Sequence, residues 1–257
     1  MTPPQLLEAL GPTRFGGRPN VVLERGAGAA VAVQIEPGEA RAAWFEARAL
    51  LDTTGRWPVA LTSWSVHAGT SWSQEAENFL NAAGHAYDDR PSVDEVLARA
   101  QSIDLDAVLA DLEQEGWTKW LAKEVTGEVR WAAARMDYWF EPMGDQDTAI
   151  VFLPAARSAA TVAYEPWYAE HPGMPAAALV ALLERWNTVY GAEVMAHWGT
   201  MLQLRVERPP HDIVQARALA REQLLVAPCT ALLPGTHPEV HAEALLHAKA
   251  WFLHERP

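Results

Sequence analysis

His237, Glu239, His241 and His247 form the richest local set of potential metal ligands in the chain. His237 and His241 stand four apart, so on a helix they share a face, as the two zinc-binding histidines of an H-E-x-x-H helix do. In that motif the glutamate that follows the first histidine is the general base. Here Pro238 follows, and Glu239 comes one place late. Proline is favoured at the first helical position, so Pro238 starts a helix just after His237 and a capping or solvated role is the preferred reading. No cofactor and no metal is expected; His237 and His241 are the candidates if a metal binds. Gly69-Thr70-Ser71-Trp72-Ser73 is one residue short of a G-x-S-x-G nucleophile elbow, because Ser73 replaces the glycine that lets a helix pack behind the serine. His67 is close enough in sequence to act as base for Ser71, but a carboxylate would have to come from elsewhere. A polar loop is the simpler reading. Asp88 and Asp89 are adjacent and so point apart, and Pro91 with Ser92 marks a turn and a helix start there.

Cys229 is the only cysteine, which excludes an internal disulfide and a multi-cysteine metal cage. It falls near the end of a predicted helix, where the dipole opposes a thiolate, so a buried structural thiol is preferred over a nucleophile. A reducing, intracellular setting fits this usage. The opening residues MTPPQLLEAL lack a basic region followed by a long apolar stretch, and no run approaches the roughly 20 apolar residues that span a bilayer. A cytoplasmic protein with no membrane association is the expectation.

The net charge is −13, from 33 acidic and 20 basic residues. A negative surface repels phosphate backbones, which argues against sequence-independent nucleic-acid binding and favours a basic protein as partner. Most of the charge is local: Gln74 to Glu128 holds thirteen Asp/Glu and four Lys/Arg, a net −9. Trp64 and Trp72 lie just before this segment, in a polar stretch where an exposed aromatic suits a binding surface. Packing in the core remains the commoner fate of such side chains.

At 257 residues and 49% hydrophobic, the chain can bury a substantial core as one large domain or two small ones. Asn20 to Ile35 reads as a β-hairpin turning near Gly26 and Gly28; as a dinucleotide fingerprint it fails, because Val31 stands where the last glycine belongs. Glu39 to Leu51 has helical spacing with Gly55 as a stop, and Trp57 to Thr62 is a short buried strand. Helical patterns follow at Gln74 to Ala82, Ser92 to Ala100 and Leu105 to Val125. Leu105, Val108, Leu109, Leu112, Trp117, Trp120 and Leu121 make one apolar stripe in the last of these, and Ser92 with Glu95 forms a capping box in the second. Ala149 to Leu153 is a strand, and Ala176 to Tyr190 a helix closed by Gly191. Ala192 to His197 and Thr200 to Glu207 form a hairpin around Trp198-Gly199. Alternation places Leu202, Leu204 and Val206 inward and Gln203, Arg205 and Glu207 outward. Pro209 and Pro210 end it, a helix runs from Asp212 to about Val226, another spans about Glu239 to Ala248, and Trp251-Phe252-Leu253 suits a last strand.

The combination of Thr54-Gly55-Arg56-Trp57-Pro58-Val59, RWNTVYGAEVMAHWGTMLQLRVERPP from Arg185, ALAREQLLVAPC from Ala218 and the closing WFLHE resembles the DUF4253 family of bacterial proteins. The match is densest over roughly the last eighty residues. The resemblance implies no assigned activity and no catalytic residues to carry over. Where the family pattern continues Cys-Pro-Asp, this chain has Cys229-Thr230-Ala231, and it ends on WFLHE where the pattern is rich in tryptophan and aspartate.

The expected fold is α+β: a mainly antiparallel sheet covered by helices, with an acidic helical insertion. Residues 1–73 supply the first part of the core, 74–140 the insertion, and 141–257 the DUF4253-like remainder. The expected function is non-enzymatic protein binding, the candidates for contact being Trp64, Trp72, Asp104, Asp106, Asp111 and Glu113, with an immunity-type role against a basic toxin as an analogy. The competing class is a hydrolase or metal-dependent enzyme using His237/His241 or Ser71/His67.

Overall fold

The computed structural model describes residues 1–25, 28–62, 91–114 and 148–255. The opening residues form a short helix, α1 (Pro3–Leu10), which buries Leu6 and Leu10. The hairpin follows as β1 (Asn20–Arg25) and β2 (Gly28–Ile35), paired antiparallel from Asn20 with Val33 to Arg25 with Gly28. After a 3-10 turn at Pro37–Glu39 comes α2 (Ala40–Ala49), with Ala40, Ala43, Trp44 and Ala47 buried at helical spacing. A single turn, α3 (Leu51–Thr54), ends at Gly55 in the left-handed region, and β3 (Trp57–Thr62) begins two residues later.

Within the acidic segment, the structure describes α4 (Val93–Ala100) and α5 (Leu105–Gln114). The Ser92–Glu95 capping box forms as the spacing predicts, with the Ser92 hydroxyl accepting the Glu95 N–H and the Glu95 carboxylate accepting the Ser92 N–H. The helix pattern at Gln74 to Ala82 and the Trp117, Trp120 and Leu121 end of the long stripe lie outside the described residues. The part of the stripe that is described, Leu105, Leu109 and Leu112, is buried in the same apolar cluster as the sheet.

The second half of the chain runs β4 (Thr148–Leu153), a 3-10 turn leading into α6 (Thr161–Tyr164), α7 (Ala176–Tyr190), β5 (Glu193–His197), β6 (Met201–Arg205), α8 (Ile213–Val226), α9 (Cys229–Leu232), α10 (Pro238–Leu245) and β7 (Ala250–His254). Among the described residues, seven strands make one sheet in the order β1-β2-β4-β3-β5-β6-β7. Every neighbouring pair is antiparallel except β3 with β5, so the fold is α+β with a mainly antiparallel sheet. All six residues of β4 are buried, the mark of a strand covered on both faces.

Gln203 departs from the alternation rule. Together with Arg205 it was expected to face outward, yet it is 1% exposed. Met201 to Leu204 are all buried, so β6 has cover on both faces and polar alternation no longer marks a solvent side. Arg205 is half-buried and pairs with Glu193.

Gly191 ends α7 with φ 61°, and its N–H donates to the Asn187 carbonyl. A Cβ at this position would also lie 2.7 Å from Cβ of Glu207. Gly191→Ala should therefore lower stability by about 1–2 kcal/mol from the backbone conformation alone, read by urea unfolding. An unchanged midpoint would show that the turn relaxes without cost.

Candidate functional site

The acidic candidates on α5 divide into two kinds. Asp106 meets Arg185 of α7 at 2.7 Å, and Glu113 pairs with Arg221 of α8. Arg185 also donates to Glu222 at 2.9 Å, and the Trp186 indole N–H donates to the other oxygen of that carboxylate at 2.7 Å. Burial, with Glu222 beside it, pushes the Tyr190 phenol up to about 12. Two carboxylates read as partner contacts thus tie α5 to the chain's own helices. Exposed pairs of this kind contribute about 0–1 kcal/mol each, so most of the hold on α5 comes from burying Leu105, Leu109 and Leu112. Asp104 accepts the Ala107 N–H at 3.1 Å. Asp94 and Asp111 are exposed and make no ion pair with a described residue. Trp64, Trp72, Ser71, His67, Asp88 and Asp89 lie outside the described residues.

The histidine pair is divided by burial. His237 caps α10, its Nδ1 accepting the Glu239 N–H at 3.2 Å, as Pro238 in the first helical position predicts. His241, one turn on, is buried and its Nε2–H donates to Gln223 of α8 at 2.9 Å. Among the described residues, no group of three or more His, Cys, Asp and Glu is placed to hold a metal ion.

Cys229 comes three residues after the end of α8, as the sequence reading has it, and also opens the single turn α9, with Pro228 between the two helices. It is half-buried. Its N–H donates to Glu255 at 3.2 Å and its thiol lies 3.8 Å from the same carboxylate. A neighbouring carboxylate opposes thiolate formation.

The segment 63–147 leaves and rejoins the sheet between hydrogen-bonded neighbours, since Thr62 is the register partner of Thr148. His197, the last residue of β5, lies next to this point through its pairing with Leu61, and its Nδ1 accepts the Gly199 N–H at 3.1 Å. Beyond the turn, the Tyr168 N–H donates to the Gly199 carbonyl, and the Tyr168 side chain is 47% exposed. The loop that carries Tyr168 reaches α5: a Cβ on Gly173 would lie 3.5 Å from Leu112. One end of the sheet therefore brings together the exit of the acidic segment, an exposed aromatic ring and α5.

The opposite end of β3 and β5 holds a cleft of about 330 Å³ lined by Arg48, Trp57, Arg157, Ser158, Glu184, Asn187 and Glu193, among others. The β3–β5 ladder covers Ala60 with Ala196 and Leu61 with His197. Nearer the start of β3 the Trp57 indole N–H bridges to the Val194 carbonyl at 3.0 Å. The Arg48 guanidinium sits 5.0 Å over the Trp57 ring and donates through Nε and Nη2 to Glu193 at 3.2 and 2.6 Å. The other Glu193 oxygen accepts from Arg205 at 3.2 Å, and Arg157 pairs with Glu184. Sequence reasoning missed this cleft. Its one local signal is Trp57 in the Thr-Gly-x-Trp-Pro element; the arginines and glutamates come from separate helices and loops, where such residues are ordinary.

Residues 149–254 match the model of the DUF4253 family, described as a domain of unknown function. No curated protein and no solved structure matches the chain. The matched span runs from β4 to β7 and includes α7, β5 and β6, while Arg48 and Trp57 of the cleft lie before it.

Burial pushes the His241 imidazole down to about 4. Its folded value lies below the unfolded value of about 6.5, so the unfolded chain takes up the proton first as the pH falls. The stability tied to His241 is complete above about pH 6.5 and is lost between there and pH 4, about 3 kcal/mol in all. His241→Gln retains a donor for Gln223 and does not titrate. Its stability should fall less steeply than that of the wild type between pH 6.5 and 4 in urea unfolding; parallel curves would mean that His241 titrates normally in the fold.

Proposed function

The chain carries a DUF4253 domain over residues 149–254, and from that premise we propose that it is a non-enzymatic protein-binding protein of the bacterial cytoplasm whose partner is a basic protein, as in an immunity-type pair. The single observation that supports this reading is the separation of charge along the chain. Residues 63–147 hold 17 Asp/Glu against 6 Lys/Arg, a net −11, whereas the rest of the chain is close to balance with 16 against 14. The segment that concentrates this charge begins and ends at paired residues of two neighbouring strands. A field of one sign steers a cationic partner and sets the salt dependence of its capture.

Asp94 and Asp111 carry the partner contact on the described helices, and Asp111 stands on the helix that the loop carrying Tyr168 reaches. Asp106 and Glu113 serve docking of α5 and are the wrong positions for a binding test, because changing them disturbs the helix that presents the others.

Affinity capture from lysate of the source organism, at low and then moderate salt, should yield a stoichiometric basic protein that leaves as salt rises. With that protein purified, Asp94→Lys combined with Asp111→Lys should weaken its binding about tenfold or more with only a small drop in melting temperature, since Asp94 stands in the first turn of α4. Unchanged affinity in the double variant would remove these residues from the interface, and a captured partner insensitive to salt would remove the electrostatic reading.

A further inference from the structure

The cleft at the start of β3 and β5 has hydrogen-bonding capacity of both signs that the fold does not use. Arg48 spends Nε and Nη2 on Glu193, which leaves Nη1 without a partner. Arg157 spends Nη1 on Glu184, which leaves Nε and Nη2, the edge of a guanidinium that grips a carboxylate in two-pronged fashion. On the acceptor side, one Glu184 oxygen makes no bond to Arg157, and Asn187 uses its amide N–H on the Ala192 carbonyl, leaving its oxygen available. A volume of about 330 Å³ lies within the range of sites that take small molecules.

We propose that this cleft binds a small zwitterion of the free α-amino acid type, its carboxylate against Arg157 and Arg48 and its ammonium against Glu184 and Asn187. The charges of the lining select this class. Arg48 and Arg157 are offset by Glu184 and Glu193, so a simple anion meets two carboxylates and a simple cation meets two guanidiniums. A ligand with both charges satisfies both sets of unused groups. The walls are also held in place before any ligand arrives. Glu193 is 9% exposed and is gripped from two sides by Arg48 and Arg205, and Arg48 is seated on the Trp57 ring. Preorganised donors cost less side-chain entropy on binding. The site stands at the far end of β3 from the point where residues 63–147 leave the sheet, about 17 Å at the usual rise of a strand, and none of its described lining residues belongs to that segment, so it is independent of the protein-binding reading and neither fails with the other.

The test is ligand-observed NMR and calorimetry on the full chain with each of the common free L-amino acids, with acetate, inorganic phosphate and putrescine as single-charge controls. At least one amino acid should bind with a 1:1 stoichiometry and at least about tenfold more tightly than any control. Arg157→Gln and Glu184→Gln should each weaken it about tenfold or more while the melting temperature stays that of the wild type, since both side chains stand at the partly exposed rim. Binding of no amino acid, equal binding of acetate or phosphate, or amino-acid binding unaffected by either substitution would each overturn the assignment.

Discussion

Arg56 is 4% exposed, and its guanidinium donates to the carbonyls of Ala29 at 2.6 Å, Phe152 at 3.3 Å and Met1 at 2.8 Å. Removing a cation from water costs several kcal/mol unless its donors are met, and burial pulls the Arg56 pKa below the usual arginine value. Here three carbonyls from three distant stretches of backbone offset that cost. The N-terminus, β2 and β4 are thereby held around one side chain at the start of β3. The next residue secures the other half of the sheet: Trp57 donates to Val194 of β5, and Trp44 of α2 packs on Trp57 while its own indole N–H donates to the Pro58 carbonyl. A proline in a central strand removes a ladder donor, but its carbonyl still accepts, and α2 uses it.

This arrangement explains why the two ends of β3 differ. At its end, Leu61 and Thr62 are laddered to neighbours on both sides or at the edge of the acidic segment, and the chain departs there into residues 63–147. At its start, a side-chain bond replaces the ladder to β5, and the gap between the strands is lined by charged residues from α2, α7 and the loop after β4. The rigid centre is common to both ends. Residues 63–147 leave the sheet at one end, and the polar cleft lies at the other.

The helix α5 illustrates how charge can mislead when it is read one residue at a time. Its carboxylates all count toward the same acidic total, yet Arg185 and Arg221 take two of them into contacts within the chain. Arg185 is itself fixed by Glu222, which also accepts from Trp186, and Trp186 packs edge-on against Trp251 at 5.8 Å. The acidic helix is in this way connected to the last strand of the sheet through a chain of polar and aromatic contacts.

Signals of short range were legible before folding was considered. The Ser92 capping box, the Gly191 helix stop, the turn at Trp198-Gly199, Pro238 after the His237 cap and the apolar run of β4 each depend on residues within about a turn of one another, so their spacing already specifies the local geometry. Partners far apart in the chain were not legible. Period-two alternation turned Gln203 outward, because alternation assumes one wet face, and the second cover over β6 comes from elsewhere in the fold. The parallel joint of β3 with β5, the pairing of Asp106 with Arg185 and the meeting of Arg48 with Glu193 join residues separated by 79 to 145 positions or by a crossover. Nothing local encodes such contacts: an arginine has the same propensities whether it ends in solvent, on a tryptophan ring or against a carboxylate, and packing of the assembled sheet and helices selects among these.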